Sequence, residues 1–210
     1  MTNLEFSNEF DILYNNIMSN QAPGLNSYEK SVFLTEAQNI IVKEVYSGRN
    51  NIGISFESSE EARRILHNLV VDKHIPITST SVKNTKVELP EDIMFIIYED
   101  CTLENGNTAL VVPTKYDNLY DTLKNPFKRP SKDRVLRIDS NPISLYSGDN
   151  KIKQYNVSYV RIPTPIILED LEGVSINNKC EQSECELHES IHLDILQRAV
   201  AIAKDAYTGS

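Results

Sequence analysis

Residues 10–42 read FDILYNNIMSNQAPGLNSYEKSVFLTEAQNIIV. With Phe6, the side chains Phe10, Leu13, Tyr14 and Ile17 fall at helical spacing, which predicts an amphipathic helix over about residues 4–19. Ala22-Pro23-Gly24 ends it, since Pro and Gly both oppose continuation. Asn26 then precedes Glu29 by three residues, a capping-box arrangement that opens a second helix running to about Tyr46. Its apolar side is Val32, Phe33, Ala37, Ile40, Ile41 and Val45, and Gly48 stops it. The short connection predicts an αα-hairpin with antiparallel packing.

The other end answers this hairpin. Residues 186–207 read ELHESIHLDILQRAVAIAKDAY. Ser183, with Glu186 three residues on, is the expected cap. Leu187, Ile191, Ile195, Ala199 and Ile202 form one apolar side, and Leu196, Val200, Ala203 and Tyr207 form another. A helix apolar on two sides needs two sets of partners. The N-terminal hairpin is the first, and a neighbouring subunit could be the second.

Between these ends the periodicity changes. Ser58 and Glu61 predict a third helical start ahead of Ala62, Ile65, Leu66 and Leu69. From Ile75 onward Pro76, the polar stretch 78–86 and Pro90 interrupt helical spacing. Residues 93–98, IMFIIY, read as a buried strand. Thr114–Leu123 predicts a short helix ending before Pro126, and 135–138 a strand. Residues 143–146 and 152–162 flank Ser147-Gly148-Asp149-Asn150, a turn signal, and Tyr155, Val157 and Tyr159 alternate with polar residues. That pattern predicts a hairpin with one buried face, closed by Pro163 and Pro165. Residues 169–185 are polar and irregular.

The expected fold class is α+β: a helical bundle, made of the N-terminal αα-hairpin and the C-terminal helix, joined to an antiparallel β region. Within a single domain over 1–210, the helical part is 1–74 with 183–208 and the β-rich part is 75–168.

Composition narrows function. The 210 residues carry a net charge of −9 and the pI is about 5.0. Such a surface repels phosphate and argues against broad DNA binding. No apolar run approaches the ~20 residues a membrane span needs, and the acidic opening MTNLEFSNEFD has no signal-peptide core. Three cysteines suit a reducing compartment better than a disulfide scaffold, so synthesis in a cytoplasm is expected. Walker, Rossmann and nucleophile-elbow motifs are absent.

Two metal readings arise near the C-terminus. His188-Glu189-Ser190-Ile191-His192 spells the zinc-protease pattern, with two imidazoles one helical turn apart and Glu189 to polarise a bound water. A third ligand is missing. Ile195 and Arg198 stand where a metzincin continues with Gly and His, and Asp194 and Asp205 lie on the same helix. Chance is the better reading. Cys180, Cys185, His188 and His192 are also zinc-ligand types, and the last three would share one helix face at i, i+3 and i+7. Partly buried Cys and His at a helix start is favoured over that structural site. No catalytic, cofactor-binding or metal residue is therefore assigned, and no cofactor. Lys124, Lys128, Arg129, Lys132, Arg134 and Arg137 form the most basic segment of the chain. It could meet a phosphate backbone or an acidic protein surface, or be a solvated loop.

Residues 6–42 resemble the opening of head–tail connector proteins of short-tailed bacteriophages, most like those of crAss-like phages of Bacteroides. YVRIPTPIIL at 159–168 resembles their end-of-hairpin signature, and LHESIHLDILQRAVAIAKDAY at 187–207 their closing helix. The resemblance implies a non-enzymatic virion structural protein, a subunit of a ring that is usually twelvefold. That ring would sit between portal and tail, against the portal protein and adjacent tail or ring proteins. Double-stranded DNA would pass its lumen without sequence-specific binding, and no membrane would be involved. It also implies that the His and Glu of the closing helix are structural. A zinc-dependent protease and a cytoplasmic scaffold or binding module are the alternatives.

Overall fold

A computed structural model describes residues 1–18, 24–49, 55–77 and 84–208. The chain is mixed α+β and divides into two compact units, Met1–Leu69 with Ile162–Ser210, and Val70–Arg161.

The first unit contains helices α1 (Asn3–Met18), α2 (Ser27–Ser47), α3 (Glu60–Leu66) and α5 (His192–Thr208). α2 begins as its sequence predicts. Glu29 N donates to Asn26 Oδ1 at 2.8 Å, and Asn26 N donates to Glu29 Oε2 at 2.9 Å. It ends at Gly48, whose φ of +72° puts it in the left-handed region; a Cβ there would lie 3.0 Å from Ser55 N. The predicted terminator of α1, Ala22-Pro23, falls outside the described residues, as does most of the polar stretch 78–86. α3 is capped by Ser59, which accepts from Ala62 N, and not by Ser58. The Ser58 hydroxyl is taken by the turn before it, where Ser55 N donates to it at 3.0 Å.

α5 is the centre of this unit. Ile195, Leu196, Ala199, Val200 and Ala203 are buried along it. Both α1 and α2 pack mainly on α5, and they touch each other only lightly. The helices therefore meet through a common partner, more than as a closed hairpin. Phe6 lies 5.4 Å from the His192 ring, and Arg198 pairs with Glu44 of α2 at 2.7 Å. Lys30 of α2 reaches Asp11 of α1 at 2.6 Å.

The buried side of α2 includes the expected Ala37, Ile41 and Val45 but is rotated from the predicted one. Val32, Phe33 and Ile40 are half-buried, while Ser31, Thr35 and Gln38 are buried, at i, i+4 and i+7. The reason lies in residues 164–168. This extended segment runs beside α2 with its backbone out of water, and the three polar side chains bond it. Gln38 Nε2 donates to Thr164 O at 2.8 Å. Ile166 N donates to Thr35 Oγ1 at 3.1 Å, and the same hydroxyl donates to Ile166 O at 3.3 Å. Leu168 N donates to Ser31 Oγ at 3.0 Å.

The segment's other side is bonded too. Ile167 and Ser183 exchange both backbone bonds at 3.0 Å, Asn3 Nδ2 donates to Ile167 O, and Thr164 N donates to Glu186 Oε2. Ser183 is consequently not a helix cap, and Glu186 is committed to Thr164. The closing helix starts later, with a 3-10 turn at Glu189–Ile191 capped by His188.

The second unit is a seven-stranded sheet in the order β1-β7-β3-β4-β5-β6-β2. The strands are β1 (Val70–Pro76), β2 (Thr85–Val87), β3 (Ile93–Leu103), β4 (Thr108–Pro113), β5 (Arg134–Ile138), β6 (Ile143–Tyr146) and β7 (Ile152–Arg161). All pairings are antiparallel except β4 with β5. Strand begins at Val70, earlier than the change of pattern at Ile75 suggests. The turn at 147–150 is present, with Gly148 at φ +67°. β6 and β7 nevertheless do not form a hairpin. Both edges of β6 are taken, by β5 and β2, so β7 pairs with β3 and β1.

β7 keeps its alternation, burying Tyr155, Val157 and Tyr159. The run at 93–98 is only partly buried, and Tyr98 is exposed. Bulges at Ile93/Phe95 and Ile96/Tyr98 bend this half of β3, and the fully buried residues come later, at Cys101 and Leu103. β4 and β5, being parallel, need a crossover, which carries α4 (Tyr116–Lys124).

Thr35→Val keeps the shape of the side chain and removes the hydroxyl bonded to Ile166. Leaving the Ile166 N–H and C=O unpaired costs about 1–3 kcal/mol. Urea unfolding of the variant is expected to show that loss, and a midpoint equal to the parent's would contradict it.

Candidate functional site

The HESIH motif does not form a metal face. His188 precedes the helix, and its Nδ1 accepts from Ser190 N at 3.2 Å as an N-cap. His192 is the first residue of α5 and is buried. Its Nε2 donates to Leu187 O at 3.0 Å and its Nδ1 faces the Met1 amine at 2.7 Å. Burial, aided by the nearby amine and His188 and opposed by the Leu187 bond and Glu189, pushes the imidazole below its ordinary 6.5.

Cys185 also precedes the helix, so Cys185, His188 and His192 do not share a helical face as their spacing suggests. The Cys185 thiol donates to Gln38 Oε1 at 3.4 Å. Burial is the main reason its pKa is pushed up to about 11, which keeps it a thiol at neutral pH and a poor ligand. Cys180 is exposed. Among the described residues, no three His, Cys, Asp or Glu side chains converge as a metal site requires. No helix of the described chain is long and apolar enough to cross a membrane.

The basic segment separates into two parts. Lys124, Lys128, Arg129 and Lys132 are exposed. Arg134 is half-buried and donates to Phe127 O at 2.7 Å. Arg137 belongs to the interior. Its Nη1 lies 2.5 Å from Glu99 Oε1 and its Nη2 lies 3.0 Å from Asp139. Tyr155 OH donates to the second Glu99 oxygen at 2.6 Å. Burial works against the Arg137 charge, but Glu99 and then Asp139 outweigh it and raise its pKa. Burial and Glu99 likewise push the Tyr155 hydroxyl up. In the sequence Arg137 reads as basic surface; its position inside the expected strand 135–138, between Leu136 and Ile138, marks it as interior.

Two surfaces stand out instead. The first is α4, which buries none of its side chains. Tyr116, Tyr120 and Leu123 are 62%, 66% and 37% exposed and recur at i, i+4 and i+7, and Phe127, in the turn after the helix, is 88% exposed. Lys124 covers the Tyr120 ring at 4.0 Å. The second is a groove of about 510 Å³ in the first unit, between α2, α3 and α5. Ile41, Val45, Ala62, Ile65 and Ile191 line its floor. Glu44, Glu61, Asp194, Arg49 and Arg198 stand around it, with Glu44 bonded twice to Arg198. Neither surface carries a converged set of catalytic groups.

Comparison with known proteins agrees with a structural chain of this kind. The model of a family described as phage tail ring protein 3/4 matches residues 1–210, and the chain belongs to that family. It is 45% identical over 222 aligned positions to Ring protein 3 of Bacteroides phage crAss001, covering 97% of this chain and 95% of that one. It is 40% identical to Ring protein 4/5 of the same phage, covering 98% and 93%. It is thus a phage ring protein and a structural component of the virion.

Two outcomes follow from these geometries. Arg137→Met leaves Glu99 buried without its cation, at a cost of about 3–5 kcal/mol. Adding Glu99→Gln is expected to recover part of the loss in urea melts, and an unchanged single variant would contradict the ion pair. His192 titrates lower in the folded chain than in the unfolded one. Protons therefore bind the unfolded state preferentially, and stability is full above about pH 6.5 and falls as pH drops below it. Melting curves from pH 7.5 to 5 are expected to show a smaller loss for His192→Gln than for the parent.

Proposed function

We propose that the chain is a non-enzymatic subunit of a cyclic head–tail connector ring, seated between portal and tail, with double-stranded DNA passing through its lumen. The carrying observation is family membership across the whole chain. Catalytic, cofactor and metal sites are left unassigned, because the side chains that suggested zinc are committed to a helix cap, to Leu187 and to Gln38.

A ring repeats one heterologous contact around an axis, and twelve copies would match the symmetry usual for portal-bound rings. The chain then works as one connector unit, contacting the portal protein and adjacent tail or ring proteins. The net charge of −9, 30 carboxylates against 21 cations, is compatible with a lumen that lets DNA slide. The subunit is made in the host cytoplasm and resides in the virion at the head–tail junction. Its ring can depend on the portal as a template, because partners can supply burial that an isolated subunit lacks.

Purified particles test this reading. Mass spectrometry is expected to find many copies of the chain per virion, and symmetry-averaged images to place them in one ring between portal and tail. Fully packaged, infectious particles without the chain would overturn the assignment.

A further inference from the structure

We propose that the exposed α4 stripe of one subunit docks into the α2–α3–α5 groove of a second copy of this chain, making the repeating contact of the ring. This inference rests on the ring reading above. Its first support is shape. Tyr116, Tyr120 and Leu123 project from α4 at the spacing by which a helix lays anchors into a groove, and Phe127 is exposed in the turn that follows. The helix itself has nine residues, about 13 Å at 1.5 Å per residue, which suits a local groove better than a long flat face. Large exposed aromatics in a continuous row mark contact surface, and Tyr and Phe concentrate at interface cores.

Its second support is charge. Residues 115–134 hold six cations (Lys115, Lys124, Lys128, Arg129, Lys132 and Arg134) against Asp117, Asp121 and Asp133. They form a basic excursion on a chain of net charge −9. The rest of that chain is therefore strongly acidic, and a second copy is a complementary partner. At the groove, Arg198 is held by Glu44, while Glu61 and Asp194, against Arg49, offer carboxylates beside an apolar floor. Lys124 and Lys128 flank the apolar row and can meet them.

Its third support is symmetry. Stripe and groove are different surfaces of one chain, one in each compact unit, as a head-to-tail ring contact requires. DNA is the less suitable occupant, because the row ends in apolar side chains that phosphates do not reward.

The test uses particles assembled with the full chain. The photo-cross-linker p-benzoylphenylalanine replaces Tyr120 or, separately, Phe127. Irradiation is expected to shift the chain from 23.9 kDa to twice that mass, with the bridge mapped to residues 41–49, 59–65 or 190–201. A dimer bridged elsewhere, or a bridge to another protein or to DNA, overturns the docking and leaves an imaged ring standing. Particles that lack the chain, or hold it outside a ring, overturn both readings.

A charge exchange gives a second readout. Glu61→Lys with Asp194→Lys is expected to lower incorporation about tenfold, the effect of ~1.4 kcal/mol. Lys124→Glu with Lys128→Glu in the same chain is expected to restore it. Normal incorporation of the first pair, or no recovery with the second, overturns the docking.

Discussion

Residues 164–168 carry backbone donors and acceptors into the first unit without a neighbouring strand on the α2 side, and everything nearby is arranged around satisfying them. A buried backbone group without a partner costs free energy comparable to a lost hydrogen bond. α2 answers with Ser31, Thr35 and Gln38 on one face, each bonded to this segment. That fixes the rotation of α2 about its axis, which moves Val32, Phe33 and Ile40 away from the deepest positions. Residues 183–186 close the other side, and this displaces the start of the closing helix to His188. The same amide that serves Thr164 also accepts from Cys185, so the cysteine is explained by packing.

The second unit depends on a different constraint. Its one parallel pair, β4 with β5, demands a crossover, and the crossover carries an α4 with no buried side chain. A helix that only half-buries Leu119 and Thr122 in its own unit leaves most of its surface to contacts outside. Inside the sheet, Glu99 is paired with Arg137 and Tyr155 among apolar neighbours, while the buried Arg137 Nε has no hydrogen-bond partner. Such groups add little net stability but penalise wrong registers, because a shifted strand strands a charge.

Local signals were legible in the sequence wherever the physics is local. The Asn26/Glu29 box, the Gly48 stop, the α4 span, the alternation of β7 and the apolar arc of α5 all reappear in the structure. What failed depended on distant partners. The Ser147–Asn150 turn is real, yet strand pairing was decided by which edges of β6 were already occupied. Consecutive strands are neighbours only about two-thirds of the time. Ser58 and Ser183 have the right spacing for caps and lose that role to other bonds. The polar stripe on α2 was readable as Ser31, Thr35 and Gln38 at helical spacing. It was passed over because polar residues on a core face look like errors until their backbone partners are known. The metal motif failed for the same reason, since an i, i+4 pair has meaning only if both residues lie in the helix.

The chain enters the second unit at Val70 and leaves it at Arg161, and Val70 pairs directly with Val160 on adjacent strands. The unit is thus an insertion whose two ends meet at one doorway. It imposes an order on biosynthesis. β1 through β7 emerge before α5, so the sheet has its whole sequence available while the helical frame still lacks its central helix. Domains tend to fold as units during synthesis, N-terminal segments first. The groove walled by α5 is accordingly the last surface of the subunit to be completed.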